Sequence, residues 1–280
     1  MDIFDVSVSS LKAIRKNPKF LFPSLLLVLF GIVVLWVLGL LFISSIPGQV
    51  AGSHQLYTRI TTAITRIVPF IAIVGIIVFL AGVAVKGMYI DLCHNWKRFP
   101  KKPSLRKSFK VAISKYKELL VFEVIAVIAE AIIALVILGP LVYMAQNSII
   151  YPYLNGIIIS GPSFLGFSIV AAILMCLYII LAIVASILLW LGSSIVVLDN
   201  SDAVSALKAS ITIGKREMPK IFGTMVMAYI IVAIALFISR ILQLIPFIGV
   251  IISFLISIGI MAFIELLAPM YYLNFHKKKQ

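Results

Sequence analysis

"FLFPSLLLVLFGIVVLWVLGLLFI", residues 20–43, decides how every later segment is read. No charged side chain interrupts it, and about 20 apolar residues in a helix suffice to cross the ~30 Å of bilayer hydrocarbon. Lys12, Arg15, Lys16 and Lys19 stand before it, as the basic region of a secretory signal would. Signal peptides, however, carry only about 7–15 apolar residues. The stretch reads as a retained transmembrane helix.

Five further runs of similar character follow, near 67–91, 119–144, 164–198, 220–243 and 247–273, with the first extending over 20–46. The composition agrees: 62% of the 280 residues are hydrophobic and 12% charged, and the mean hydropathy is +1.17. Soluble domains are about half apolar and a quarter charged. The expectation is an all-α polytopic integral membrane protein with six transmembrane helices in a single membrane domain. Cys93 and Cys176 fall at the end of one run and the middle of another, so they define no disulfide framework.

A net charge of +14 would suggest nucleic-acid binding in a soluble chain. Here topology accounts for it, and no nucleic-acid partner is expected. Four Lys and Arg precede the first span, nine lie between Lys97 and Lys117, four between Lys208 and Lys220, and three in the tail at 277–279. The other side carries only Arg59, Arg66 and Arg240, while Lys86 lies within the second span. Basic residues near span ends are retained in the cytoplasm. The count therefore places both termini there, in a multi-pass protein of the cell membrane.

The basic segments are alike. "SLKAIRKNPKFLF" from Ser10, "SLRKSFKVAISKYKELLVFE" from Ser104 and "ALKASITIGKREMPKIFG" at 206–223 each precede an outward span, at spacings of 94 and 102 residues. This suggests three repeats, 1–96, 97–200 and 201–280, each an amphipathic interfacial helix followed by a transmembrane hairpin. Asn200, Ser201 and Asp202 are N-cap candidates for the third, and Pro18 and Pro219 mark elbows where surface helix gives way to span. On the opposite side, Leu56, Ile60, Ala63, Ile64 and Ile67 recur at helical spacing, which suggests a separate surface-lying helix. The uncharged loop 145–163, with Tyr143, Tyr151 and Tyr153 in an aromatic belt, is expected to dip into the headgroups.

Charges within spans are the first functional suspects, because each costs about 2.5–3.5 kcal/mol to insert. They are Lys86, Asp91, Glu123, Glu130 and Glu265. Glu123 and Glu130 share a helix face, and Glu130 lies about 20 Å beyond Lys117 at the helical rise. A Lys86–Glu123 or Lys86–Glu265 pair would lower both insertion costs. Either Lys86, Glu123, Glu130 and Glu265 form a relay for protons or cations, or they pair and hydrogen-bond structurally.

Enzyme signatures are lacking: there is no paired-histidine zinc motif, phosphate-binding glycine loop or nucleophile elbow. His54, His94 and His276 sit at span ends or in loops, and a site joining Cys93, His94 and His276 would need further ligands. No catalytic residue, metal or cofactor is assigned. Gly249, Ser253 and Ser257, like Gly75 and Gly82, share a helix face and suggest packing seams.

Residues 195–225, "IVVLDNSDAVSALKASITIGKREMPKIFGTM", and "SLKAIRKNPKFLFPSLL" from Ser10 resemble a group of uncharacterised archaeal and bacterial six-helix membrane proteins. That group is similar to the membrane domain attached to some glycerophosphodiester phosphodiesterases. The resemblance implies the fold alone, since this chain has no room for the phosphodiesterase domain.

Two functional readings follow. In the first, a non-enzymatic membrane module binds anionic lipid headgroups, or docks a cytoplasmic or membrane protein, through its basic helices. The contact candidates are Lys97, Arg98, Lys101, Lys102, Arg106, Lys107, Lys110, Lys208, Lys215 and Arg216. In the second, a secondary transporter moves a small solute or lipid using the intramembrane glutamates.

Overall fold

The computed structural model describes residues 3–45, 53–98, 104–147, 161–245 and 248–275. These are almost wholly helical: α1 (Ile3–Lys16), α2 (Leu21–Ser45), α3 (Ser53–Arg98), α4 (Leu105–Ser114), α5 (Tyr116–Ala145), α6 (Gly161–Leu189), α7 (Gly192–Leu198), α8 (Ala203–Leu242) and α9 (Ile248–Phe275). Six segments are long and apolar enough to cross a membrane. The protein is an all-α polytopic membrane protein. Large side chains such as Leu35, Trp36 and Leu135 are exposed along the spans, as a hydrocarbon solvent allows.

A third of the α9 span is buried, against 17% or less of each other span, so α9 forms the core. It packs against α1, α2, α3, α7 and α8. Tyr271 on α9 is fully enclosed and stacks between Trp190 and Phe275.

The three basic helices do more than lie on the surface. Each buries a face of small residues against the bundle: Ser7, Ser10 and Ala13 of α1, Ser108 and Ala112 of α4, and Ala203, Ala206, Ser210 and Gly214 of α8. Small side chains let helix axes approach closely. Phe4, Val8 and Leu11, like Phe109 and Ile113, face outward as the acyl-facing side of such a helix would.

One register recurs three times. Ala13, Ala112 and Gly214 are buried, as are Phe20, Leu119 and Ile221 seven residues later, and Pro23, Phe122 and Thr224 three beyond those. Helical backbone geometry breaks four residues before Ile221, at Glu217 (φ −114°, ψ 18°), and four before Leu119, at Lys115 (φ −103°, ψ 4°). In the first unit it breaks at Asn17 (φ −143°, ψ 94°), followed by a 3-10 turn at Pro18–Phe20. Aligned on Phe20 and Leu119, the first two units lie 99 residues apart rather than 94. The middle elbow has no proline, so proline accompanies the bend without causing it. The α8 N-cap is Asp202; hydrogen bonds from the Ser205 side chain and then the Ser205 amide hold its carboxyl below the usual range.

One expectation is corrected. The segment around Leu56–Ile67 is not a separate surface helix, because α3 runs unbroken for 46 residues through Pro69. The fourth span has its expected extent, Leu165–Leu198, and a turn at Trp190–Leu191 within it separates α6 from α7. That break frees the Leu188 carbonyl, which accepts from Ser210 Oγ at 2.7 Å. The aromatic-belt loop, apart from Tyr143 at the end of α5, lies outside the described residues.

The small-residue seams resolve differently. A Cβ on Gly249 would lie 1.8 Å from the Leu242 carbonyl oxygen, and Ser253 Oγ donates to the Ser239 carbonyl, so this seam joins α9 to α8. Gly75 and Gly82 have nothing within 4 Å of a Cβ position and form no seam among the described residues. Gly192 is nearly as tight: a Cβ there would sit 1.9 Å from the Phe122 ring. Gly192→Ala should cost about 1–3 kcal/mol through overpacking. Thermal unfolding in detergent should show that loss, Phe122→Leu should restore most of it, and Gly31→Ala, with open space around it, should be silent.

Candidate functional site

The intramembrane charges meet. Lys86 on α3 places Nζ 2.6 Å from Glu123 Oε1 on α5, with the side chains 32% and 14% exposed. Ser193 Oγ on α7 donates to the same carboxylate oxygen at 2.7 Å. Glu265 on α9 and Glu130 on α5 both lie within electrostatic range of the Lys86 ammonium. Of the two pairings offered by the sequence, Glu123 forms the direct one, and Glu265 lies within electrostatic range.

Two cavities adjoin this cluster. The larger, about 260 Å³, is lined by Glu130, Ser186, Trp190 and Ser194 together with Lys86, Glu123 and Glu265. The smaller, about 200 Å³, is lined by Ser24, Phe79, Tyr89 and Met261 together with the same three charged residues. Lys86, Glu123 and Glu265 are thus the wall common to both. Glu130, itself exposed, stands about two turns beyond Glu123 along α5 and belongs to the larger cavity alone.

The smaller cavity is shaped by a tyrosine that completes a neighbouring helix. Tyr89 Oη accepts from the Ser24 amide at 3.1 Å and donates to the Phe20 carbonyl at 2.8 Å, two backbone groups one turn apart beside Pro23. Ser24 Oγ also bonds the same hydroxyl. A side chain inserted into the helical ladder in this way sets the tilt at which α2 leaves its elbow.

At the end bearing the basic helices, polar bonds lace the elements together. Asp91 Oδ2 accepts from Ser108 Oγ at 2.5 Å and from Asn95 at 2.7 Å, pinning α4 to α3. Tyr271 donates to Glu217 at 3.0 Å at the α8 elbow, and Tyr272 bonds Asp199 just beyond α7. Lys97 bonds Asn274, joining the ends of α3 and α9. Asp91 therefore has a structural partner set apart from the cavities, and Lys97 is engaged within the fold.

The remaining basic candidates among the described residues lie at the end of α3, on α4 and on α8. Arg98, Arg106, Lys107, Lys110, Lys208, Lys215 and Arg216 are exposed, with Arg216 3.3 Å from Glu217. Lys101 and Lys102 lie outside the described residues, as does His276. Cys93 is buried, and no group of three metal-ligating side chains occurs among the described residues.

Sequence reasoning missed Trp190, Ser193 and Ser194. The signal was "WLGSS" at 190–194, where a glycine and two serines interrupt an apolar run. It was absorbed into one long span. No family model, curated protein or solved structure matches this chain.

Lys86→Met should destabilise the protein by about 3 kcal/mol, because it leaves the Glu123 charge without its counter-ion. The double variant Lys86→Met/Glu123→Gln should recover most of that loss. Unfolding titrations in mixed micelles measure both; equal destabilisation by the single and double variants would remove the pair from the energetics.

Proposed function

We propose that the protein is a non-enzymatic membrane carrier, in which the Lys86–Glu123–Glu265 cluster engages a small polar solute during its passage across the bilayer. The observation supporting this is the shared wall: the same three groups border both cavities. A site reached alternately from two sides needs charged groups common to both, and a swappable ion pair provides them. The broken fourth span beside the cluster adds support, since discontinuous helices commonly build midplane binding sites. Lys86 can exchange its partner between Glu123 and Glu265 as solute enters, with Glu130 at the approach.

In proteoliposomes containing a lumenal pH dye, proton-coupled movement of a panel of small polar solutes should be lost in Glu130→Gln, with thermal stability retained. Unchanged flux in Glu130→Gln and in Glu265→Gln would falsify the carrier reading.

A second reading rests on the outward side chains of the basic helices, where Phe109 and Ile113 share α4 with Arg106, Lys107 and Lys110. Such a helix suits an anionic lipid surface, each cation contributing about 1 kcal/mol there. This reading places the basic end and both termini on the cytoplasmic face of the cell membrane. Mass spectrometry of protein in native lipid discs should show less retained anionic lipid after Arg106→Gln, Lys107→Gln and Lys110→Gln are combined. Undiminished retention, with a protein companion lost instead, would favour docking to a cytoplasmic partner.

A further inference from the structure

The larger cavity brings together more carboxyl groups than its one ammonium can pair with. One ammonium, Lys86, faces three carboxylates, Glu123, Glu130 and Glu265, and its direct contact is with the first. Hydrocarbon does not tolerate an uncompensated carboxylate, so the surplus must be balanced by protons or by a cation. Whatever cation enters competes for that role.

Ser194 supplies an independent pointer. It is 0% exposed, lines the same cavity, and its hydroxyl has no hydrogen-bond partner among the described residues. Buried polar atoms are rarely left so, because desolvating them without a partner is unfavourable. Trp190 lines the same cavity, with its ring 5.5 Å from that of Tyr271 and tilted 58° to it. An indole, a hydroxyl without a partner and three carboxyl groups along one cavity wall together make the chemistry that recognises a protonated or quaternary amine. An engineered cavity of about 150 Å³ holds benzene. At about 260 Å³, this one admits a somewhat larger molecule.

We propose that this cavity binds a small monovalent organic cation, held between Glu265 and Glu130, the Trp190 ring and the Ser194 hydroxyl. The inference deepens the carrier reading and rests on it for the route across the membrane. Binding itself is testable without transport.

The full-length protein in lipid discs is heated with choline, with methylammonium, and with 3,3-dimethylbutan-1-ol, the uncharged carbon analogue of choline. At least one cation should raise the melting temperature in a concentration-dependent way, and the alcohol should not. Glu265→Gln and Trp190→Leu should each weaken cation binding about tenfold. Glu130→Gln, altering an exposed residue, provides a second carboxylate test should Glu265→Gln fold poorly. Ser194→Ala separates binding from packing: it should raise the melting temperature of the ligand-free protein, by deleting an unpartnered hydroxyl, yet weaken the cation. A purely structural serine would show the opposite stability change and leave binding alone. The proposal is overturned if the alcohol stabilises as well as choline, if neither cation shifts the transition, or if the carboxamide variants bind undiminished. Cation binding without flux sinks the carrier reading and keeps the site; flux indifferent to charge does the reverse.

Discussion

The Lys86–Glu123 pair is the interaction around which the bundle is arranged. A lone ammonium or carboxylate in hydrocarbon is expensive, and each makes the other admissible only when α3 and α5 meet at one depth. The Ser193 hydroxyl on the same oxygen adds a third element, α7, to that meeting. α7 can reach only because the fourth span breaks at Trp190–Leu191, and Gly192 lets the Phe122 ring lie against its backbone. The ion pair and the helix break thus meet at one level of the bundle, and Ser194, next to Ser193, lines the cavity beside them.

The break has its own cost, which neighbouring helices offset. Interrupting a transmembrane helix orphans carbonyls that lipid cannot satisfy. Ser210 on α8 takes the Leu188 carbonyl, and α8 can come so close because Gly214 opposes the Leu188 backbone, where a Cβ would be 2.9 Å away. Ser210 and Gly214 belong to the small-residue register repeated in α1 and α4. The basic helices therefore serve the interior of the bundle as well as its charged end.

Much of this was legible in the sequence, and what escaped has a physical reason. Hydrophobic runs longer than a bilayer is thick announce spans unambiguously, and the two glutamates seven residues apart announced their shared face. Lys86 was visible as an intramembrane charge, but choosing Glu123 over Glu265 required knowing which helices adjoin, which one-dimensional depth cannot supply. The Trp190–Leu191 break was hidden because its residues are apolar or small, and hydropathy does not register a lost backbone hydrogen bond. The α3 extension was hidden for the converse reason: Arg59 and Arg66 end the apolar run without ending the helix. Pro18 and Pro219 pointed correctly to two elbows, yet the bend at Lys115 shows that the register of buried small and large residues sets their place.

The distribution of polar bonds gives the bundle two unlike halves. Near the basic helices, Asp91–Ser108, Tyr271–Glu217, Tyr272–Asp199 and Lys97–Asn274 tie successive elements together. Farther along the spans, Gly31 and Gly39 on α2, Gly75 on α3, Gly139 on α5 and Gly166 on α6 have no described atom within 4 Å of a Cβ position. Those glycines make no close helix contact of their own among the described residues, whereas Ser253 and Gly249 join α9 to α8. Lys86 lies five residues before Asp91 on α3, so the charged cluster adjoins the tied end of the bundle. Any exchange of partners by Lys86 would take place beside that framework of polar bonds, with α3 anchored through Asp91 and Lys97.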